Sequence, residues 1–82
     1  MQTDALWWAR QRSSVARAYA EEDSGAVAAR LRELLRAVRG DPPDEVVPRD
    51  VVAFLDAAHL LAESGNLSRS LRAWRLALYA LH

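Results

Sequence analysis

FLDAAHLLAESGNLSRSLRAWRLALYAL, residues 54–81, is the stretch that decides the fold. Apolar residues recur at helical spacing on both sides of Ser64-Gly65-Asn66, the pattern of two amphipathic helices joined by a tight turn. The helix before the turn is expected to begin near Asp50 and reach Glu63. Its apolar residues surround it except along a strip at Asp56, His59 and Glu63, which predicts the most buried helix of the chain. The helix after the turn is expected from Ser68, a good N-cap, to residue 82. Leu67, Leu71, Trp74, Leu78 and Leu81 form its inward stripe, while Arg69, Arg72, Leu76 and Tyr79 face elsewhere.

Upstream, Thr3 or Asp4 can cap a first helix running to residue 22, with Leu6, Trp8, Val15 and Tyr19 toward one side. Asp23-Ser24-Gly25 ends it. A second helix over 24–39 is capped by Ser24 or Asp23, and Val27, Leu31, Leu34, Leu35 and Val38 make its apolar stripe opposite Arg32, Arg36 and Arg39. Gly40, Pro42 and Pro43 stop this helix. Residues 40–49 form an acidic, Pro-rich linker from which Val46 and Val47 can pack on a helix. The expected fold is therefore all-α: two antiparallel helical hairpins in one four-helix domain spanning residues 1–82, either a bundle or a short helical-repeat unit. The two Ser-Gly pairs stand about forty residues apart, within the range of helical-repeat periods. Aligned on them, Val27, Leu31, Leu34 and Ala37 fall opposite Leu67, Leu71, Trp74 and Ala77.

The second hairpin resembles a tetratricopeptide repeat. Phe54, Ala58, Leu61 and Gly65 match the aromatic, small, large apolar and turn-glycine positions of that family's first half, and Ser70, Trp74 and Ala77 match its second. Small residues there let paired helices approach while aromatics fill the space between them. The first hairpin matches only in its second helix, through Val27, Leu31, Leu34, Ala37 and Pro42. The resemblance implies a protein-binding scaffold, with ligand-facing positions at Val52, Leu55, His59, Ala62 and Glu63. Val52, Leu55 and Ala62 also read as ordinary core. A second resemblance is local: Asp23-Ser24 is similar to the attachment site of acyl carrier proteins, where the Ser takes a phosphopantetheine arm. An N-cap accounts for the same two residues.

Composition narrows the function. Eleven basic residues balance eleven acidic ones in an 82-residue chain without Cys, so there is no disulfide and no overall charge excess to drive association with nucleic acid or anionic membrane. A domain of this size buries only about 60% of its unfolded surface, which gives exposed apolar positions a reason to be covered by a partner. No metal motif, phosphate loop or nucleophile pattern is present, so neither catalysis nor a cofactor is expected. The start lacks signal-peptide order, and a cytoplasmic home is expected. These readings converge on a non-enzymatic adaptor or assembly subunit that binds a protein partner, or itself, through His59, Glu63, Arg69, Arg72, Leu76 and Tyr79 on the third and fourth helices. The alternative is a small nucleic-acid-associated regulator using Trp7, Trp8 and Arg10 of the first helix.

Overall fold

The computed structural model describes residues 4–40 and 47–81. Four helices follow one another along the chain: α1 (Ala5–Ala20), α2 (Ser24–Val38), α3 (Arg49–Glu63) and α4 (Leu67–Ala80), with no strand among the described residues. Each helix packs chiefly on the next, α1 on α2, α2 on α3 and α3 on α4. The domain is all-α and built from two hairpins. Thr3, Pro42, Pro43, Val46 and His82 lie outside the described residues.

Capping side chains set three of the helix starts. The Asp4 carboxylate accepts the Trp7 N–H at 2.8 Å, Asp23 accepts that of Ala26 at 3.0 Å, and the Asn66 side chain accepts that of Arg69 at 3.1 Å. α4 therefore starts at Leu67, earlier than the Ser68 cap would set it, because Asn66 reaches the free N–H groups first. α3 lacks a side-chain cap and starts one residue before Asp50, where the Pro48 carbonyl accepts from the N–H groups of Val51 and Val52.

The two inter-helix turns follow one backbone route. Glu21 N–H bonds to Arg17 O, Glu22 N–H to Tyr19 O and Val27 N–H to Asp23 O; the same three bonds recur 43 residues later as Ser64 to Leu60, Gly65 to Ala62 and Ser70 to Asn66. The residue in left-handed conformation is Glu22 (φ 54°) in the first turn and Gly65 (φ 83°) in the second. Gly25 is thus not the counterpart of Gly65; it lies within the first turn of α2. The repeat register shifts accordingly, and Leu31 and Leu34 stand opposite Trp74 and Ala77.

The core joins Trp8, Val15 and Ala18 of α1, the α2 stripe as expected, Val51, Leu55, Ala58 and Ala62 of α3, and Ala73, Trp74 and Ala77 of α4, with Val47 packed from the segment before α3. Fully burying a Leu or Val side chain contributes about 1.5–3 kcal/mol before losses of chain entropy. Three expectations change. Leu6 is 61% exposed, since two residues from Trp8 means about 200° around the helix. α3 is not buried on all sides: α2 and α4 flank it, but Ala53 and Leu60, opposite its core stripe, face solvent. α4 turns its small residues Ser70, Ala73 and Ala77 inward with Trp74, leaving Leu67, Leu71, Leu78 and Leu81 half-buried at the edge.

Candidate functional site

The α3–α4 crossing is tight because small residues meet there. Ser70 is fully buried and donates its hydroxyl proton to Ala58 O at 2.7 Å, while Tyr19 Oη lies 2.7 Å from the same Ser70 oxygen. Since Ser70 has one proton and spends it on Ala58, Tyr19 is the donor in its own bond. That pair ties α1 across to α4. Toward the other end of these two helices, Ala5, Trp8, Arg12, Leu78 and Leu81 border a cavity of about 220 Å3. Burial pushes the Tyr19 phenol above its ordinary pKa of 10.0.

With its small residues turned inward, α4 presents the rest outward. Arg69, Arg72, Leu76 and Tyr79 are all exposed, Leu76 at 47% and Tyr79 at 83%. At 100° per residue these four fall within an arc of about 80°, a single continuous strip. Arg75 lies beside it, also exposed. α4 contains no acidic residue, and among the described residues no carboxylate lies within salt-bridge distance of Arg69, Arg72 or Arg75.

The other two predicted residues belong to a different surface. His59 is 13% exposed, its Nε2 standing 3.0 Å from Glu63 Oε1 but out of line for a hydrogen bond. Glu63 also pairs with Arg32 at 3.8 Å, and Asp56 with Arg39 at 3.6 Å. These contacts turn His59 and Glu63 toward α2, where Arg32, Leu35, Arg36, Arg39, Asp56 and His59 line a groove of about 350 Å3. The six residues expected to act together are therefore split, with His59 and Glu63 in the α2–α3 seam and Arg69, Arg72, Leu76 and Tyr79 on the outer face of α4. Exposed ion pairs at such distances contribute at most about 1 kcal/mol. Of the ligand-facing positions implied by the repeat resemblance, Leu55 and Ala62 are core residues.

On α1 the two indole rings meet edge to face at 4.9 Å, with Trp8 buried and Trp7 half-buried. Trp8 is thereby withdrawn from the surface expected of Trp7, Trp8 and Arg10, because it fills the core beside Val15 while its neighbour points about 100° away. Asp23-Ser24 serves as a helix start: Asp23 is the cap and Ser24 the first residue of α2.

Two features lie outside the expectations drawn from sequence. Leu60, 58% exposed, adds an apolar residue to the outer side of α3, and its place opposite Val51, Leu55 and Ala58 was calculable from spacing. The second is charge segregation within a neutral chain: α1 and α4 each carry three Arg and no acid, while acids gather at the first turn, beside Pro42 and Pro43, and on α3. Among the described residues no group of three or more His, Asp or Glu is placed to hold a metal, and no helix is long and apolar enough to cross a membrane. No family model, curated protein or solved structure matches this chain.

Proposed function

We propose that this domain is a non-enzymatic protein-interaction module, an adaptor or assembly subunit, whose docking surface is the outer face of α4. The observation that carries the proposal is Leu76 and Tyr79, two large apolar side chains held in solvent beside Arg69 and Arg72. Tyr and Arg are the residue types that dominate binding energy at protein interfaces, and an apolar pair between them supplies what a partner would desolvate. In the α2–α3 seam, Glu63 pairs with Arg32 of α2 and His59 lines the groove, so neither joins this face. The tetratricopeptide likeness bears on the packing and not on this face: the ligand-facing positions it implies are on α3, where Leu55 and Ala62 are core, whereas buried Ala58, Ser70 and Ala77 at the crossing leave the opposite face of α4 outward.

The test is the double variant Leu76→Ser/Tyr79→Ser. Both positions are exposed, so its unfolding free energy is expected to stay within about 0.5 kcal/mol of the parent. Capture of a protein partner from the native host is expected to be lost. A folded double variant that associates as the parent does would exclude this face.

A nucleic-acid reading draws on one observation, the acid-free Arg sets of α1 and α4. It is weakened by the burial of Trp8, which removes one of its two stacking rings. A salt titration against duplex DNA and single-stranded RNA separates the readings: affinity falling steeply with salt favours nucleic acid, and absence of binding at low salt eliminates it.

A further inference from the structure

We infer that the face of α4 is built for an acidic amphipathic helix of another protein, rather than for a second copy of this chain. The inference rests on the reading of α4 as the docking surface and names the chemistry of what docks there.

Charge complementarity identifies the occupant. Residues 69, 72, 76 and 79 run along one side of α4 for about 15 Å, roughly three turns, with two guanidinium groups at one end and Leu76 and Tyr79 at the other. The residues four positions after Arg69, Arg72 and Arg75 are Ala73, Leu76 and Tyr79, so no cation has a carboxylate partner within the helix. The neighbouring helix does not supply one either: Asp56 and Glu63 of α3 are directed to Arg39 and Arg32 of α2, and Asp50 lies in the first turn of α3, at the end of the hairpin away from Arg69 and Arg72. The cationic strip is thus left without an ion-pair partner among the described residues, and carboxylates on an incoming surface would supply one.

A second copy cannot do so through the same face. A two-fold contact sets the patch against itself: a parallel pair brings Arg69, Arg72 and Arg75 toward their equivalents, and an antiparallel pair sets Arg69 and Arg72 against Tyr79 and Leu76, with no acid on either α4 to meet them. Nor do Leu76 and Tyr79 offer the apolar area of a stable homodimer, which buries well over about 1,000 Å2. Nucleic acid would satisfy the guanidinium groups but leave Leu76 uncovered. A helix with carboxylates one turn apart beside an apolar stripe satisfies both halves, by the helix-against-face mode in which anchors recur three and four residues apart.

The experiment is selection of a randomised helical-peptide display library on the intact protein, with counter-selection on Leu76→Ser/Tyr79→Ser. The expected winners are net-acidic peptides with Asp or Glu at three- and four-residue spacing beside Leu, Ile or Phe. Their binding should be at least about tenfold weaker to Arg69→Glu/Arg72→Glu and fall with added salt. Enrichment of neutral apolar peptides that still require Leu76 and Tyr79 would overturn the acidic assignment while leaving α4 as the docking face. Winners that bind parent and counter-selection variant alike would overturn both. Self-association abolished by Leu76→Ser/Tyr79→Ser would return the face to a second copy and overturn the inference, as would duplex DNA that binds through Arg69 and Arg72 with no dependence on Leu76 and Tyr79.

Discussion

The two hairpins make the same turn with different chemistry. Both place one residue in left-handed conformation between two helices and cap the second helix from the next residue, yet the first uses Glu22 and Asp23 where the second uses Gly65 and Asn66. Their helix contacts differ in kind. Val27 and Leu31 stand where the second hairpin has Ser70 and Trp74, so one interface is filled by branched aliphatics and the other by a buried hydroxyl beside an indole. A shared backbone route leaves packing free to vary, and the variation sorts roles. The second hairpin is drawn tight by small residues and has a whole helix face to spare; between α1 and α2 of the first, Ala9, Arg10, Ser13, Ser14, Arg17 and Arg30 line a cleft of about 380 Å3.

Core truncation at the matched positions puts the largest strain on this comparison. Leu31→Ala is expected to cost about 2–5 kcal/mol and Trp74→Ala about 3–5 kcal/mol, enough to unfold much of a domain this small. Urea unfolding followed by far-UV circular dichroism measures both. If Leu31→Ala cost less than about 1 kcal/mol, the first hairpin would be an appendage of the second rather than its structural counterpart.

The turns come next in size. A non-glycine residue in left-handed conformation costs about 1–2 kcal/mol, so Gly65→Ala should destabilise by about that amount. The opposite change, Glu22→Gly, should stabilise by a smaller margin, at most about 1 kcal/mol, because glycine also loosens the unfolded chain. Equal and opposite thermal shifts in the two variants would mean that backbone strain alone distinguishes the turns. A loss of stability in Glu22→Gly would show that the Glu22 side chain contributes something the backbone comparison omits.

These turns also mark where sequence reading succeeds and where it fails. Helix number, order and approximate limits follow from apolar spacing and cap residues, and the α2 stripe Val27, Leu31, Leu34, Leu35 and Val38 is legible because five large apolar residues leave no other face to bury. Glycine does not mark the repeat register, because Glu22 accepts the left-handed position of the first turn while Gly25 sits inside a helix. The α4 strip was legible for the complementary reason: Leu76 and Tyr79 lie off any stripe that Trp74 can join. The separation of His59 and Glu63 from that strip was not, because which flank of α3 meets α2 depends on the packing of the whole domain.

A smaller effect distinguishes the buried hydroxyl of the second hairpin. Ser70→Ala removes the bond to Ala58 O and leaves Tyr19 without its acceptor, and Tyr19→Phe removes the donor; each is expected to cost about 1 kcal/mol. A double-mutant cycle should show coupling of at least about 0.5 kcal/mol. Additive losses would mean that Tyr19 and Ser70 stabilise their own hairpins independently rather than clasping α1 to α4.

The smallest effect is one of pH, and it reports on the same clasp. Burial disfavours the Tyr19 phenolate and so raises the folded-state pKa above 10.0; its bond to Ser70 lowers the pKa only so far as the hydroxyl turns to donate to the phenolate, abandoning Ala58 O. A group whose pKa is raised on folding binds its proton more tightly in the native state. Its contribution to stability is therefore fully present below pH 10.0 and is lost as pH rises through the higher folded value. The chain has no Lys, so its acids and Arg residues hold their charges across this window and the curve is simple to read. Urea midpoints measured from pH 8 upward should hold level and then decline above about pH 10, whereas Tyr19→Phe, with no proton to lose, should decline less. If parent and variant fell in parallel, the phenol would be as free to ionise in the fold as in the unfolded chain, and the bond from Tyr19 to Ser70 would contribute nothing that depends on its proton.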